Sequence, residues 1–574
     1  MTDAPQTPVF AVQDIPFSYR GSWFGISPVI AENTYADDLH LVSHQAGLHP
    51  VLRFEPRHGD RPAVTTTTAT PTLLCWSHDA GEIRLAYQNA DTIRLRGTGL
   101  GIRLATAATT LTPFSGSYLY MDPVDGAHVL TSYETGRRYR ITVLEGTLSA
   151  TGVQALGTHD RHLELSSGSP WDIVIEEYES ARAPYTRTAT FDEVVEAAEA
   201  QFATFVNAVA PWRGPRTPAA ELAAYVLWSA TVAPAGFLNR PGVLMSKHWM
   251  DKVWSWDHCF NAIALAAGDP ELAWHQFLLP FDHQDPAGAL PDSVTHSEVL
   301  YNFVKPPIHG WALGHLRRNL AAPLGRDALA DAYDRLSRWT RFWLTARRVP
   351  GHVLPHYQHG NDSGWDNATT FDDDRVIETA DLAGFLVLQL RQLACLAVEL
   401  GRPDEAISWN DTADAVHAAL LDQLWDGKRF VARSATTGRT RASTSLLDLM
   451  AVALGAELPG EISDQLAGRL RTHLTDHGLA TEAVDSPYYT PDGYWRGPIW
   501  APSTVLIEDG LRRAGHHDLA DEISARFRAL CERSGFAENF DAETGAGLRD
   551  RAYTWTAGSY LILAAASERR RTRA

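Results

Sequence analysis

Cysteine is scarce in this sequence: 574 residues hold only Cys75, Cys259, Cys395 and Cys531, widely spaced and with no CxxC pair. That argues against a disulfide framework or a cysteine zinc site, and suits buried free thiols in a reducing compartment. No uninterrupted apolar run approaches about eighteen residues, so no membrane span is expected. The opening "MTDAPQTPVFAVQDI" has neither a basic n-region nor an apolar h-region, and a cytoplasmic protein is the expectation. Basic charge is also short. The net charge is −19 at pH 7, and the single basic run, "ERRRTRA" at 568–574, reads as a frayed helix end. A polyanionic partner such as nucleic acid is disfavoured. There is no HExxH, no G-x-S-x-G elbow and no acidic stretch with EF-hand spacing, so the common zinc, serine and calcium signatures are missing.

What is present is a globular composition, 45% hydrophobic and 21% charged, in a chain too long for one ordinary core. Eighteen tryptophans stand out. Core packing accounts for most of them, but several sit in Gly/Asp/Ser-rich company, as a site that stacks flat hydroxylated rings would require.

The hydrophobic period divides the chain. From about 20 to 180, short stretches such as "EIRLAYQ", "DTIRLRG", "RRYRITVLEG" and "WDIVIEEY" alternate, are rich in β-branched and aromatic residues, and are separated by turn signals. They predict an antiparallel β-sandwich over 1–189. The "GTGLG" at 97–101 precedes another strand-like run rather than a helix, so a dinucleotide loop is rejected. Thr190 and Glu193 form a capping box before an apolar stripe, which predicts a linker helix over 190–215. From 216 to 574 twelve helical segments follow, near 219–234, 256–267, 270–283, 306–320, 326–347, 381–400, 403–426, 444–455, 461–476, 499–514, 517–535 and 555–568. Some are apolar nearly all round and others amphipathic, the alternation two concentric rings need. The expected fold is therefore mainly α, an (α/α)6 toroid behind a β-sandwich, with the loops gathered at one mouth.

Four loop stretches combine aromatics, glycine and carboxylates: "WMDKVWSWDHCFNA" (249–262), "HGNDSGWDNATTFDDD" (359–374), "GYWRGPIWAPS" (493–503) and "GFAENFDAETGAG" (535–547). The acidic stretch could be a solvated loop, a metal cage or a catalytic loop. For Asp372, Asp373 and Asp374, solvent exposure or capping of the next helix is favoured over a calcium or magnesium ion. Cys259 beside His258 is read as a buried thiol, since adjacent helical residues point apart. Carboxylate chemistry remains, and glycosidic cleavage needs two carboxyl groups across a sugar ring. Asp366, between Trp365 and Asn367, and Glu538, between Phe536 and Phe540, are candidates that spacing alone does not single out.

The ordered set "WSWDHCF", "GALPD", "KPP…GWAL", "SGWDN", "YWRGPIW" and "ENFDAETGAG…YTWTAG" resembles glycoside hydrolase family 63 over about 245–565. That family includes processing α-glucosidases, bacterial relatives and the mannosylglycerate and glucosylglycerate hydrolases; family 37 trehalases are more distantly similar. The resemblance implies Asp366 as general acid and Glu538 as general base of an inverting mechanism. It implies Trp256 and Asp257 as the floor of the sugar pocket, with Trp495 and Arg496 beside it. Lys305, Trp365 and Trp555 are further expected lining residues. Asp362 stands where many relatives carry Glu, so its expected role is substrate contact or holding the loop. No metal and no cofactor are implied.

The expectation is an exo-acting, inverting α-glycosidase, glucose being the family default, acting on a small carbohydrate without nucleic acid or membrane. Oligomeric state is left open. The β-domain argues mildly against a glycerate glycoside, whose specific hydrolases in this family are short. Rivals are an inverting phosphorylase, an epimerase using paired histidines among His258, His283, His296 and His309, and a non-catalytic carbohydrate-binding protein.

Overall fold

The computed structural model describes residues 7–31 and 34–573. It divides into two compact units. One comprises the described residues up to Ala208 with Ala224–Lys252 and Thr295–Ser297; the other comprises Val209–Ala223, Val253–Val294 and the residues from Glu298 onward.

The first unit contains two eight-stranded antiparallel sheets. The alternating stretches read from sequence are its strands, among them Gly81–Asn89, Thr92–Thr98, Arg138–Glu145 and Trp171–Tyr178. In the second sheet, alternation puts Ile93, Leu95, Ile141, Ile173 and Ile175 into the core, all fully or almost fully buried. The opposite face is polar yet also covered. Arg94 pairs with Asp172 at 2.6 Å and Arg140 with Glu176 at 2.7 Å. Remaining guanidinium donors reach the carbonyls of Arg182, Ala183 and Ala189. The segment after the last strand thus satisfies charges that the sheet alone would strand. "GTGLG" is a tight turn between two strands, where a Cβ on Gly99 would lie 1.9 Å from the Ala80 carbonyl oxygen. Helix α1 (Phe191–Val209) opens on the expected capping box. Thr190 N donates to Glu193 at 2.7 Å and Glu193 N to Thr190 Oγ1 at 3.3 Å. Its Phe191, Val194 and Val195 pack on Ala86 of the sandwich. Helix α2 (Ala220–Ala230) follows.

The second unit is helical. Its elements are α3 (His258–Leu265), α4 (Pro270–Leu278), α5 (His309–Asn319), α6 (Arg326–Thr345), a one-turn α7 (Gly360–Ser363), α8 (Ala380–Glu399), α9 (Pro403–Gln423), a 3-10 helix (Leu446–Glu457), α10 (Gly460–His473), α11 (Ala501–Arg513), α12 (His517–Ser534) and α13 (Thr554–Arg573). Packing closes a ring: α3 on α5, α5 on α8, α8 on the 3-10 helix, that on α11, α11 on α13, and α13 back on α3. Outside it, α4 packs on α3, α6 and α9 on α8, α10 on the 3-10 helix and α12 on α11. Helix α8 is buried nearly all round, whereas α6 buries one stripe, which is the inner and outer difference read from sequence. By length and apolarity α8 could also cross a membrane, but most of it is buried inside the unit. The ring member near 446–457 is 3-10 rather than α. There α11 comes so close that a Cβ on Gly510 would sit 2.2 Å from the Val452 carbonyl oxygen.

Candidate active site

The acid loop is tightly folded. In α7 the His359 ring caps Asn361 N at 3.1 Å, and Ser363 Oγ donates to Gly360 O at 2.6 Å while accepting from Trp365 N at 3.1 Å. Gly364 ends the turn at φ 74°, and a Cβ there would lie 2.6 Å from Cζ2 of Trp256. Only glycine meets both conditions. The Asp362 carboxylate is fully buried and accepts from Val304 N (3.1 Å), Gln358 N (2.8 Å) and Arg347 Nη1 (2.6 Å). Its oxygens are therefore engaged by the protein, and of its two expected roles the structure supports holding the loop. Asp366 follows on the same turn and is partly exposed.

Glu538 sits on the loop after α12. Its amide donates to Asp550 O at 2.7 Å, and Phe540 and Ile499 exchange backbone hydrogen bonds two residues on. Phe536 and Phe540 are fully buried on either side. The carboxyl Oε2 meets no donor among the described residues. Burial pushes Glu538 up to about 8, Asp550 and Asp366 adding to the shift and Arg549 opposing it.

Asp257 stands at the start of α3, buried, with Oδ2 unpaired among the described residues. Burial likewise pushes it up to about 8, Lys305 opposing and Asp292 and Asp366 reinforcing. Burial alone would lower Lys305, but Asp292, Asp366 and Asp257 outweigh it and hold the ammonium charged. Lys305 Nζ lies 3.1 Å from Asp292 Oδ1, donates to Asn361 O at 2.9 Å and stands 5.4 Å from the Trp254 ring centroid. Asp257, Lys305, Asp366 and Glu538 thus form one electrostatic group although four separate loops supply them.

A run of tryptophans adjoins them. Trp365 packs on Trp495 with centroids 4.5 Å apart, and Trp495 stacks on Trp500 at 4.1 Å and 5°. Trp500 meets Trp555 edge-on at 5.5 Å, and Trp555 meets Trp256 at 5.7 Å. The Trp555 Nε1 is buried and unpaired among the described residues. Much of Trp365 and Trp495 is therefore spent on packing, both being almost fully buried.

Several expectations need correction. Of the two readings of Asp372, Asp373 and Asp374, capping fails, since the next helix begins at Ala380 behind Thr379, while solvent exposure holds for Asp373. Asp372 pairs with Arg496 and Asp373 with Arg441, while Asp374 accepts from Val376 N at 3.2 Å. Arg496 is accordingly held by the acid loop: its Nε donates to Asn367 O at 2.7 Å. Cys395 is exposed and Cys75 half-buried; only Cys259 and Cys531 are buried thiols. Cys259 does not point away from His258, since its Sγ lies 3.8 Å from Nε2 on the first turn of α3. His258 and His309 do form a pair, 5.3 Å between centroids, and their ligand atoms and Cys259 Sγ lie within 4.8 Å of one another. The His309 ring is packed among Phe277, Phe281 and Trp339, and burial pushes His258 down to about 4. That is the environment of neutral core histidines. Sequence reading missed Tyr494, Asn367, Arg549, Asp550 and Tyr553, the last raised by burial with Glu538 and Tyr494 adding. Tyr494 and Asn367 lay inside quoted motifs, but their partners come from distant loops.

A helical ring with carboxylates and tryptophans at its loops defines a glycoside hydrolase toroid, and the comparisons with known proteins agree. Residues 250–556 match the family described as mannosylglycerate hydrolase MGH1-like glycoside hydrolase domain, and the chain belongs to it, within glycoside hydrolase family 63. It is a glycoside hydrolase. It is 26% identical over 419 residues to a mannosylglycerate hydrolase of Rubrobacter radiotolerans, covering 57% of this chain and 92% of that protein. A mannosylglycerate hydrolase of Thermus thermophilus is 24% identical over 391 residues, 54% of this chain and 93% of that protein. Two solved structures share the fold. A family 63 mannosylglycerate hydrolase from Thermus thermophilus in complex with Tris superposes with TM-score 0.52 at 21% identity, covering 59% of this chain and 98% of that one. A bacterial glucoamylase complexed with acarbose gives TM-score 0.64 at 11% identity, covering 99% and 96%.

Proposed function

We propose that this protein is an exo-acting, inverting α-glycosidase that removes a single sugar from the non-reducing end of a small α-glycoside. Asp366 protonates the leaving oxygen while Glu538 deprotonates a water on the opposite face of C1. The observation that carries this reading is the assembly of Asp366 and Glu538, from separate loops, in one group with Asp257 and Lys305. Single displacement requires the two carboxyl groups roughly 6.5–9.5 Å apart, leaving room for that water. Three buried polar atoms without protein partners among the described residues, Asp257 Oδ2, Glu538 Oε2 and Trp555 Nε1, suit a ligand rich in hydroxyls.

An α-glucoside is the first substrate we assign. An α-linked glycosylglycerate is the second, supported by the relatives named mannosylglycerate hydrolases. Those relatives align with only 54–57% of this chain.

The roles separate by leaving group. Asp366→Asn should lose nearly all activity on α-mannosylglycerate or an α-linked glucose disaccharide, yet keep much of it on 2,4-dinitrophenyl α-glycosides, whose leaving group needs no proton. Glu538→Gln should be inactive on both kinds, and azide should restore activity to Glu538→Ala. The opposite pattern would exchange the two roles. Near-normal turnover of an unactivated substrate by either variant would remove that residue from the mechanism.

A further inference from the structure

Two loops far apart in the sequence are tied together directly behind Asp366. Asn367 Nδ2 donates to Gly493 O at 3.0 Å, and its Oδ1 accepts from Trp495 N at 3.0 Å. The Asn367 carbonyl accepts from Arg496 Nε at 2.7 Å, and Nη2 of the same guanidinium pairs with Asp372. Between those anchors Thr369 Oγ1 donates to Oε2 of the fully buried Glu482 at 2.9 Å. The receiving loop is fixed in turn. The Ser486 hydroxyl donates to Glu482 Oε1 at 2.6 Å, Thr490 N to Arg496 O at 2.8 Å and Gly493 N to Thr490 O at 2.9 Å. Trp495 packs on both Trp365 and Trp500, and Trp500 Nε1 donates to Tyr494 O at 2.9 Å. Tyr494, whose two neighbours are both held by Asn367, has φ 62°. A bulky side chain keeps that backbone only where its surroundings over-determine it. On the other side of the acid, a Cβ on Gly360 would lie 2.1 Å from the Asp366 carbonyl oxygen. The backbone of Asp366 is thus gripped from both directions, while Asp366 itself stays partly exposed.

We propose that the segment from 482 to 496 braces the general acid, and that Asn367 and Arg496 set where Asp366 delivers its proton. The inference rests on the reading of Asp366 as the acid. Both are positioning residues: they act through the backbone next to Asp366, and neither is asked to touch the substrate. In the step they serve, the Asp366 proton passes to the glycosidic oxygen as the C1–O bond breaks, and the aglycone leaves as an alcohol. The water oxygen bonds C1 and gives its proton to the base. A general acid is worth about a hundredfold to ten-thousandfold, and misplacing it by about 1 Å can cost about a hundredfold. Arg496, expected beside the sugar, therefore has another task, since Nε and Nη2 are both engaged by the acid loop. A lysine has one ammonium and no fork with which to span Asn367 O and Asp372 together.

The test compares Asn367→Ala, Arg496→Ala and Arg496→Lys with Asp366→Asn. Each is assayed on the unactivated α-glycoside that the wild-type protein hydrolyses and on the 2,4-dinitrophenyl α-glycoside of the same sugar, whose leaving group needs no proton. Asn367→Ala and Arg496→Ala should lower kcat about tenfold to a hundredfold on the unactivated substrate with KM little changed, and less than about threefold on the activated one. Arg496→Lys should fall between Arg496→Ala and wild type. Added to Asp366→Asn, Asn367→Ala should cause little further loss on the unactivated substrate, because the group it aims is already gone. Equal losses on both substrates, or a rise in KM alone, would assign these residues to sugar binding and overturn the proposal. Full additivity with Asp366→Asn, a loss accounted for by lower thermal stability, or wild-type kcat in Asn367→Ala and Arg496→Ala would overturn it too. The acid assignment is read separately from Asp366→Asn: without a preference for the activated substrate in that variant, the acid itself is wrongly assigned and the brace falls with it.

Discussion

Replacing Glu538 by glutamine should stabilise the fold at neutral and alkaline pH while abolishing turnover. The carboxyl is 1% exposed and burial lifts it from an ordinary 4.5 to about 8. A group with a raised folded-state value holds its proton more tightly when folded than when unfolded. Its contribution is fully favourable below pH 4.5 and is lost as pH rises through that window, because the native state must either keep a proton or bury a charge. At 1.36 kcal/mol per pH unit the window corresponds to at most about 5 kcal/mol. Part of the rise comes from the neighbouring Asp550 and Asp366 carboxyls rather than from burial, so about 2–4 kcal/mol is expected for burial of Glu538 alone. The amide lacks this dependence. Unfolding by urea, followed by circular dichroism between pH 4 and pH 8.5, should give equal stabilities for wild type and Glu538→Gln at the acid end. The variant should gain steadily above pH 5. A difference that is constant with pH, or a variant less stable at pH 8, would refute the claim that burial of this carboxyl opposes folding.

Further outcomes follow from the same geometry. Wild-type kcat/KM should rise with pH towards a limb near 8, since the base acts only when Glu538 is ionised and burial delays that ionisation; an acid limb near 4.5 would contradict this. Asp362→Asn places an amide against three donors and should cost about 2–4 kcal/mol of stability. It should lower activity through the loop without a selective rise in KM, whereas a rise in KM at unchanged stability would return Asp362 to substrate binding. Gly364→Ala combines a left-handed backbone with a Cβ 2.6 Å from the Trp256 ring. It should lose about a hundredfold in kcat/KM as the acid loop and Trp256 move apart, and wild-type kinetics would show that the loop yields freely.

The architecture was largely legible in the sequence because its signals are local. Strand alternation in "DTIRLRG" and "WDIVIEEY", the Thr190–Glu193 box and the contrast between "DLAGFLVLQLRQLACLAVEL" and "RDALADAYDRLSRWTRFWLTAR" each report on their own element. What failed depended on partners elsewhere in the chain. The capping alternative for Asp372 and Asp373 fails while solvent exposure of Asp373 holds, and their partners Arg496 and Arg441 come from other loops. Between substrate contact and holding the loop, nothing in "NDSG" decides for Asp362; Arg347 and two backbone amides take its oxygens. Leu446–Glu457 is a 3-10 segment kinked at a left-handed Gly455, where the sequence pattern reads as a regular helix. Within the candidate site, an ordered set of motifs points to Asp366 and Glu538 but gives no sign of the left-handed Tyr494. A backbone angle leaves no trace in one sequence when the residue holding it is tyrosine rather than glycine.

The central claim is that Asp366 and Glu538 act across the sugar in a single displacement. Proton NMR of the first-formed sugar, recorded within the first turnovers on an α-linked glucoside or on α-mannosylglycerate, tests it most directly. The β-anomer should appear first and mutarotate afterwards. Release of the α-anomer would contradict a single displacement and require one carboxylate to bond C1 itself.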